Sequence, residues 1–149
     1  NNRVNESAKN EKFIPFFIAR YNQITGKLEY INAGHLPPLL YEQKKQAIVS
    51  LDKGCIGLGM LDQIPTVETG SIYISPGSKL VAFTDGLIEL DNGMEIDNGM
   101  DDITAIVQKP GTINQTIQEI ENLMSKMIHR ESVFDDVTLL GIEFHSRGL

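Results

Sequence analysis

Two acidic stations in this sequence have the residue types and spacing to hold a divalent cation. The apolar run Leu80-Val81-Ala82-Phe83-Thr84 ends in Asp85-Gly86, and the pair Asp135-Asp136 opens Val137-Thr138-Leu139-Leu140-Gly141-Ile142. Each reads as a β-strand with a carboxylate at one end. If the two strands are antiparallel neighbours, the finish of the first and the start of the second fall at the same edge of the sheet. Asp85 and Asp135 would then meet. Neighbouring ionised carboxylates repel, more strongly between low-dielectric walls, and a divalent cation between them removes the repulsion. The spacing therefore points to a magnesium or manganese site. Asp136 ranks second, because on a strand it points away from Asp135.

The rest of the composition narrows the chemistry. Cys55 is the single cysteine, which excludes an internal disulfide and any multi-cysteine zinc or iron–sulfur site. Its expected role is that of a small buried hydrophobe. A net charge of −7 argues against binding nucleic acid or an anionic membrane. That charge is concentrated: Asp85, Glu89, Asp91, Glu95, Asp97, Asp101 and Asp102 occur with no intervening Lys or Arg, and the remaining acids are matched by bases. Most of this run reads as a solvated acidic loop. A calcium loop is disfavoured, since D-x-[DN]-x-[DN]-G is not met. No stretch approaches the roughly 20 apolar residues of a membrane helix, and the polar start resembles no targeting signal, so a cytoplasmic protein is expected.

The elements that must position the acids follow from pattern. Phe13 to Tyr21 and Lys27 to Asn32 flank Thr25-Gly26 as a hairpin with one wet face. Leu39-Leu40-Tyr41 and Ala47 to Leu51 make a second hairpin, after the extended course that Pro37-Pro38 imposes. Gly54-Cys55-Ile56-Gly57-Leu58-Gly59 lacks the spacing of a phosphate-binding loop and reads as a loop passing close to other backbone. A strand is expected over 66–74, turning at Ser75-Pro76-Gly77 into the Asp85 strand, whose continuous apolar run predicts cover on both faces. Two Asn-Gly steps follow, at 92–93 and 98–99, too close together for two hairpins. Asp101-Asp102 suits the N-terminus of a short helix. The clearest helix starts at a Thr112/Gln115 capping box, carries Ile113, Ile117, Ile120, Met124, Met127 and Ile128 on one face, and ends near His129 and Arg130. Residues 1–12 read as a polar extension or a frayed helix end.

Three stretches together resemble one family, the metal-dependent serine/threonine phosphatases of the protein phosphatase 2C class, in their bacterial SpoIIE and RsbU branch. They are Tyr30-Ile31-Asn32-Ala33-Gly34-His35-Leu36-Pro37-Pro38-Leu39-Leu40, Phe83-Thr84-Asp85-Gly86-Leu87-Ile88-Glu89, and Asp135-Asp136-Val137-Thr138-Leu139-Leu140. Gly57-Leu58-Gly59 and Pro76-Gly77 agree more weakly. The resemblance implies an α+β fold, an α-β-β-α sandwich of two antiparallel sheets flanked by helices, with 1–149 forming one partial domain. It implies that Asp85 and Asp135 ligate metal and that two Mn²⁺ or Mg²⁺ ions activate water for in-line attack on phosphoserine or phosphothreonine, with no side-chain nucleophile. The implied substrate is a phosphorylated signalling protein such as an anti-sigma factor antagonist.

One departure qualifies this. The family begins with a Gly-Asp segment followed by Gly-His-Gly that supplies another metal aspartate, whereas residues 1–51 contain no Asp. The chain is expected to be the C-terminal two-thirds of such a domain, weakly active or inactive alone, and able to form a homodimer through an exposed sheet edge. The competing reading is a non-catalytic interaction domain of the same fold. His35 is expected to hydrogen-bond nearby backbone rather than act as a general acid, and His145 to lie in the tail.

Overall fold

The computed structural model describes residues 1–8, 12–88, 99–128 and 136–146. It has the expected α+β class, with two four-stranded sheets, mainly antiparallel, and helices. The chain divides into two compact units, Asn1–Pro37 with Leu51–Ile74, and Pro38–Ser50 with Ser75–Leu149. Each unit holds one sheet.

The first unit opens with α1 (Asn2–Ala8), a helix where a polar extension was also expected. The side-chain amides of Asn1 and Asn5 fix it by donating to the Leu61 carbonyl at 2.9 and 3.2 Å. Strands β1 (Phe16–Asn22) and β2 (Lys27–Ala33) then pair antiparallel without interruption from Phe16↔Ala33 to Asn22↔Lys27. The connecting turn is held by Asn22, whose Oδ1 accepts the N–H groups of Ile24 and Thr25 at 2.9 and 3.1 Å, while Gly26 adopts a φ of 69°. Strand β2 buries Leu28, Tyr30 and Asn32 and leaves Lys27, Glu29 and Ile31 half-exposed, the one wet face that alternation predicts.

The glycine-rich segment does pass close to other backbone, and part of it pairs. Gly54–Cys55 forms β5, parallel to Asn32 and Ala33 of β2. A Cβ on Gly54 would lie 1.8 Å from the Asn32 carbonyl oxygen, so only glycine fits. This corrects the expected strand over 66–74. Because β5 takes one end of the β2 edge, β6 is confined to Gly70–Tyr73, and Glu68 donates its N–H to the Gly54 carbonyl at 2.8 Å.

The second unit contains β3 (Leu39–Glu42), β4 (Ala47–Ser50), β7 (Lys79–Phe83) and β8 (Leu139–Glu143), all antiparallel in the order β4-β3-β7-β8. The Asp85 strand is thus interior, with Leu80, Val81 and Phe83 buried. Two helices, α2 (Gly99–Gln108) and α3 (Ile113–Ile128), belong to this unit. Asp101 and Asp102 do fall in the first turn of α2. The capping box forms: the Gln115 N–H donates to Thr112 Oγ1 at 3.3 Å, and Thr112 N–H donates to Gln115 Oε1 at 2.9 Å. A second cap was not visible in the sequence, since Glu143 of β8 accepts the Ile113 N–H at 2.8 Å. Helix α3 sits so near β8 that a Cβ on Gly141 would lie 2.6 Å from the Ile113 side chain. His129 and Arg130 lie outside the described residues, as do the side chains of Met127 and Ile128.

Among the described residues Lys79 is the largest fully buried side chain, 1% exposed at the start of β7. Its Nζ donates to the Lys109 carbonyl at 2.8 Å and to Thr116 Oγ1 at 3.0 Å, and lies 5.2 Å from the centre of the Tyr41 ring. It thereby ties the strand to the α2–α3 connection. Burial lowers the Lys79 pKa, against the raising influence of Glu143 and Glu119. A folded-state pKa below the unfolded one means that the unfolded chain binds this proton more tightly, so Lys79 makes stability rise with pH in the window beneath 10.5. Lys79→Met keeps the stem and removes the charge. Urea unfolding from neutral pH towards that limit should show the unsubstituted chain gaining stability on the variant as pH rises; parallel curves would contradict this.

Candidate metal centre

The first acidic station is built by a change of secondary structure. Strand β7 stops at Phe83, and Asp85–Leu87 forms a single turn of 3-10 helix. Leu87 N–H donates to the Thr84 carbonyl at 3.1 Å, and Ile88 N–H donates to the Asp85 carbonyl at 2.8 Å. Gly86 and Leu87 are buried while Asp85 is exposed, so the apolar residues anchor the turn and the carboxylate faces solvent. Its Oδ1 accepts the Gly86 N–H at 3.0 Å.

The neighbouring strand is β8, and it is antiparallel, with Phe83 opposite Leu139. The pairing extends past both strands through Thr84. Its N–H donates to the Thr138 carbonyl at 3.1 Å, its Oγ1 accepts the Thr138 N–H at 2.9 Å, and the same hydroxyl donates to the Asp136 carbonyl at 3.1 Å. The end of β7 and the approach to β8 therefore lie together, and Asp85 and Asp136 occupy the same end of the strand pair. Asp135 lies outside the described residues. The strand itself begins at Leu139, later than the run from Val137 implied.

Thr84 and Thr138 are the positioning residues that the motif reading passed over. A threonine adjoins the acid in Phe83-Thr84-Asp85 and follows closely in Asp135-Asp136-Val137-Thr138. That symmetry was the available signal. The Asn-Gly steps cannot be assessed in the same way, because residues 89–98 lie outside the described set.

Oxygen donors of this kind suit a hard divalent cation in type, since carboxylate and carbonyl oxygens match Mg²⁺ and Mn²⁺ better than soft metals. In number the described residues fall short: among them no group of three or more His, Cys, Asp or Glu gathers to hold a metal ion. In the other unit, His35 makes local contacts. Its N–H donates to Asn32 Oδ1 at 2.8 Å and its Nδ1 lies 2.6 Å from the Leu36 carbonyl, which sets Nδ1 as the protonated nitrogen. Cys55 is half-buried in β5. No described helix is long and apolar enough to cross a membrane.

The fold is that of bacterial phosphatase domains. Over 99% of this chain it resembles the structure of the RsbU and RsbW domains of a Mycobacterium tuberculosis protein, with a TM-score of 0.72, 20% identity and 41% of that chain covered. It resembles the phosphatase domain of the cell-fate determinant SpoIIE from Bacillus subtilis, presoaked with manganese, over 99% of this chain and 65% of that one, with a TM-score of 0.63 and 15% identity. RsbX in complex with magnesium matches over 94% and 61%, with a TM-score of 0.62 and 19% identity. At such identities the likeness is one of fold. This chain spans between 41% and 65% of the length of these three structures. No curated protein matches the chain in sequence. The family model for Stage II sporulation protein E matches residues 1–145, and the chain belongs to the SpoIIE family.

Thr84→Val preserves shape and removes the hydroxyl that both donates and accepts at this junction. It should destabilise the protein by about 1 kcal/mol, the usual net worth of such bonds when partly solvated. Hydrogen exchange should show the Thr138 amide losing protection selectively, with Thr84→Ser restoring it. Unchanged exchange at Thr138 in the valine variant would refute the role of the hydroxyl.

Proposed function

We propose that the chain is part of a metal-dependent protein serine/threonine phosphatase domain extending over residues 1–149, with Asp85 and Asp135 as metal ligands. The observation that carries this reading is the antiparallel pairing of β7 with β8, which sets the Asp85 turn beside the segment that leads into β8, in a chain of the SpoIIE family. The cations would be Mn²⁺ or Mg²⁺, two in the complete domain. A manganese-soaked and a magnesium-bound structure among those of similar fold support the choice. When bound, such ions supply an activated water and neutralise charge on the phosphoryl oxygens.

This chain's own contribution is to hold carboxylates in place before the cation arrives. The Asp85 carboxylate is restrained by the Gly86 N–H, and the buried Leu87 prevents the turn from swinging away. Thr84 fixes the neighbouring segment through its backbone groups. The substrate class we infer is a phosphorylated signalling protein, an anti-sigma factor antagonist being the instance consistent with the RsbU and RsbX structures of similar fold. The chain by itself should be weakly active or inactive, since residues 1–51 contain no Asp to supply the further metal aspartate that the resemblance implies. The second reading, a non-catalytic interaction domain, draws on that same shortage.

In the full-length parent, manganese-dependent hydrolysis of a phosphoserine protein should fall by about 100-fold or more in Asp85→Asn, the scale expected when electrostatic stabilisation of the transition state is lost. Turnover equal to that of the unsubstituted enzyme would refute the assignment. Absence of any activity in the parent would favour the non-catalytic reading.

A further inference from the structure

We propose that Lys79 and Glu143 are positioning residues for the candidate metal centre: they form a charge-matched socket that seats the α2–α3 corner on β7 and β8 and thereby fixes the strand that ends at Asp85. The inference rests on the reading of Asp85 as a ligand. The two residues are directly opposite each other in the strand pair, so they share a face of the sheet. Each reaches a different helix end. Lys79 donates its ammonium to the Lys109 carbonyl, just past the last residue of α2, at 2.8 Å. Glu143 accepts the N–H of Ile113, the first residue of α3, at 2.8 Å. A helix leaves the carbonyls of its last turn and the N–H groups of its first turn without internal partners, and its dipole makes the C-terminus negative and the N-terminus positive. A cation therefore meets the negative end of α2, and an anion meets the positive end of α3.

Burial makes the arrangement selective. Lys79 is 1% exposed, and Thr116 Oγ1 takes a second hydrogen of its ammonium at 3.0 Å. Tyr41, opposite Lys79 on β3, presents its ring 5.2 Å away. The corner is closed on its outer side by Lys109 and Glu119, which meet at 2.6 Å. Apolar packing is non-directional, whereas charged hydrogen-bonding groups accept the corner in one placement only. Gly141 sets the depth of the seat, since Ile113 and Ile117 both crowd the place of its missing Cβ, and Gly141 is opposite Val81. Val81 and Phe83 share the face of Lys79 and are buried, and Asp85 is two residues beyond Phe83. A β-strand at about 3.3 Å per residue is close to full extension, so a displacement along β7 at Lys79 is carried to the Asp85 turn.

Exchanging the charges separates a socket from an ion pair. Two residues acting only on each other would tolerate Lys79→Glu combined with Glu143→Lys, whereas the fixed helix ends would then meet like charge in both places. In urea unfolding the exchanged chain should have a lower midpoint than the neutral double variant, Lys79→Met with Glu143→Gln, or should fail to fold where the neutral one folds. In Glu143→Gln alone the Ile113 amide should exchange about fivefold faster or more, as a charge-assisted bond gives way to a neutral one. The positioning role is read from amide resonances of the isotopically labelled, metal-free chain. Lys79→Met and Glu143→Gln should each shift Gly86 and Thr138, while Ile117→Val, which loosens the same contact without altering charge, leaves them in place. A midpoint of the exchanged chain at or above that of the neutral one would overturn the proposal. So would Gly86 and Thr138 signals that stay in place in both single variants, or that move equally in Ile117→Val. Shifts at Gly86 and Thr138, with no broadening of Gly86 by Mn²⁺ in the unsubstituted chain, would uphold the socket and its coupling to the strand and refute the metal reading alone.

Discussion

The pairing of β7 with β8 is the constraint on which the candidate site depends. Fifty residues separate Asp85 from Asp135 in the chain. Pairing in a sheet brings distant stretches of chain together with the direction of each backbone fixed. Strand β7 is suited to this because it is buried in the interior of its sheet, where a shift of one residue would take the Lys79 ammonium away from the Lys109 carbonyl and the Thr116 hydroxyl. Register is then strongly specified, and Thr84 carries it past the last strand residue to Thr138 and Asp136. The catalytic reading asks nothing of the acids themselves beyond being at the end of a strand whose neighbours are already determined.

Around this pair, buried polar groups fix connections that apolar packing leaves free. Lys79 holds the α2–α3 connection to the start of β7 through two hydrogen bonds. Glu42, also buried, closes the β3–β4 turn by accepting the N–H groups of Lys44 and Lys45 and the hydroxyl of Ser75. The Ser75 hydrogen bond, with help from the two backbone N–H groups, holds the Glu42 carboxyl below the usual carboxylate range against the opposing influence of burial. Each of these polar groups is satisfied, so each specifies an arrangement without the cost of an unpaired buried group.

Elements set by local pattern were legible in the sequence. The first hairpin announced itself by alternation in Lys27 to Asn32, the Thr112/Gln115 cap by its spacing, and the interior place of β7 by a run with no polar face. Elements set by competition between distant segments were not. Gly54–Cys55 is too short to show a period, yet by occupying the end of β2 it truncates β6, which alternation alone extended back to residue 66. Helix α1 has only Val4 and Ala8 as apolar residues and is held by Asn1 and Asn5 against Leu61, contacts that no periodicity encodes. For the candidate site, strand direction was legible because acids at opposite ends of two apolar runs make sense only in antiparallel order. The threonine bonds that secure it were not, since a hydroxyl's partner is a tertiary fact.

The most direct test is to locate bound manganese by its paramagnetic effect on amide resonances of the isotopically labelled chain. At substoichiometric Mn²⁺, the account predicts that signals from Gly86 and Val137 broaden together and first, while those of Gly77 and Phe144, at the opposite end of the same strand pair, persist. Broadening that spares Val137 while affecting Gly86, or that centres on Asp101 and Asp102, would contradict a site shared by the two strand ends.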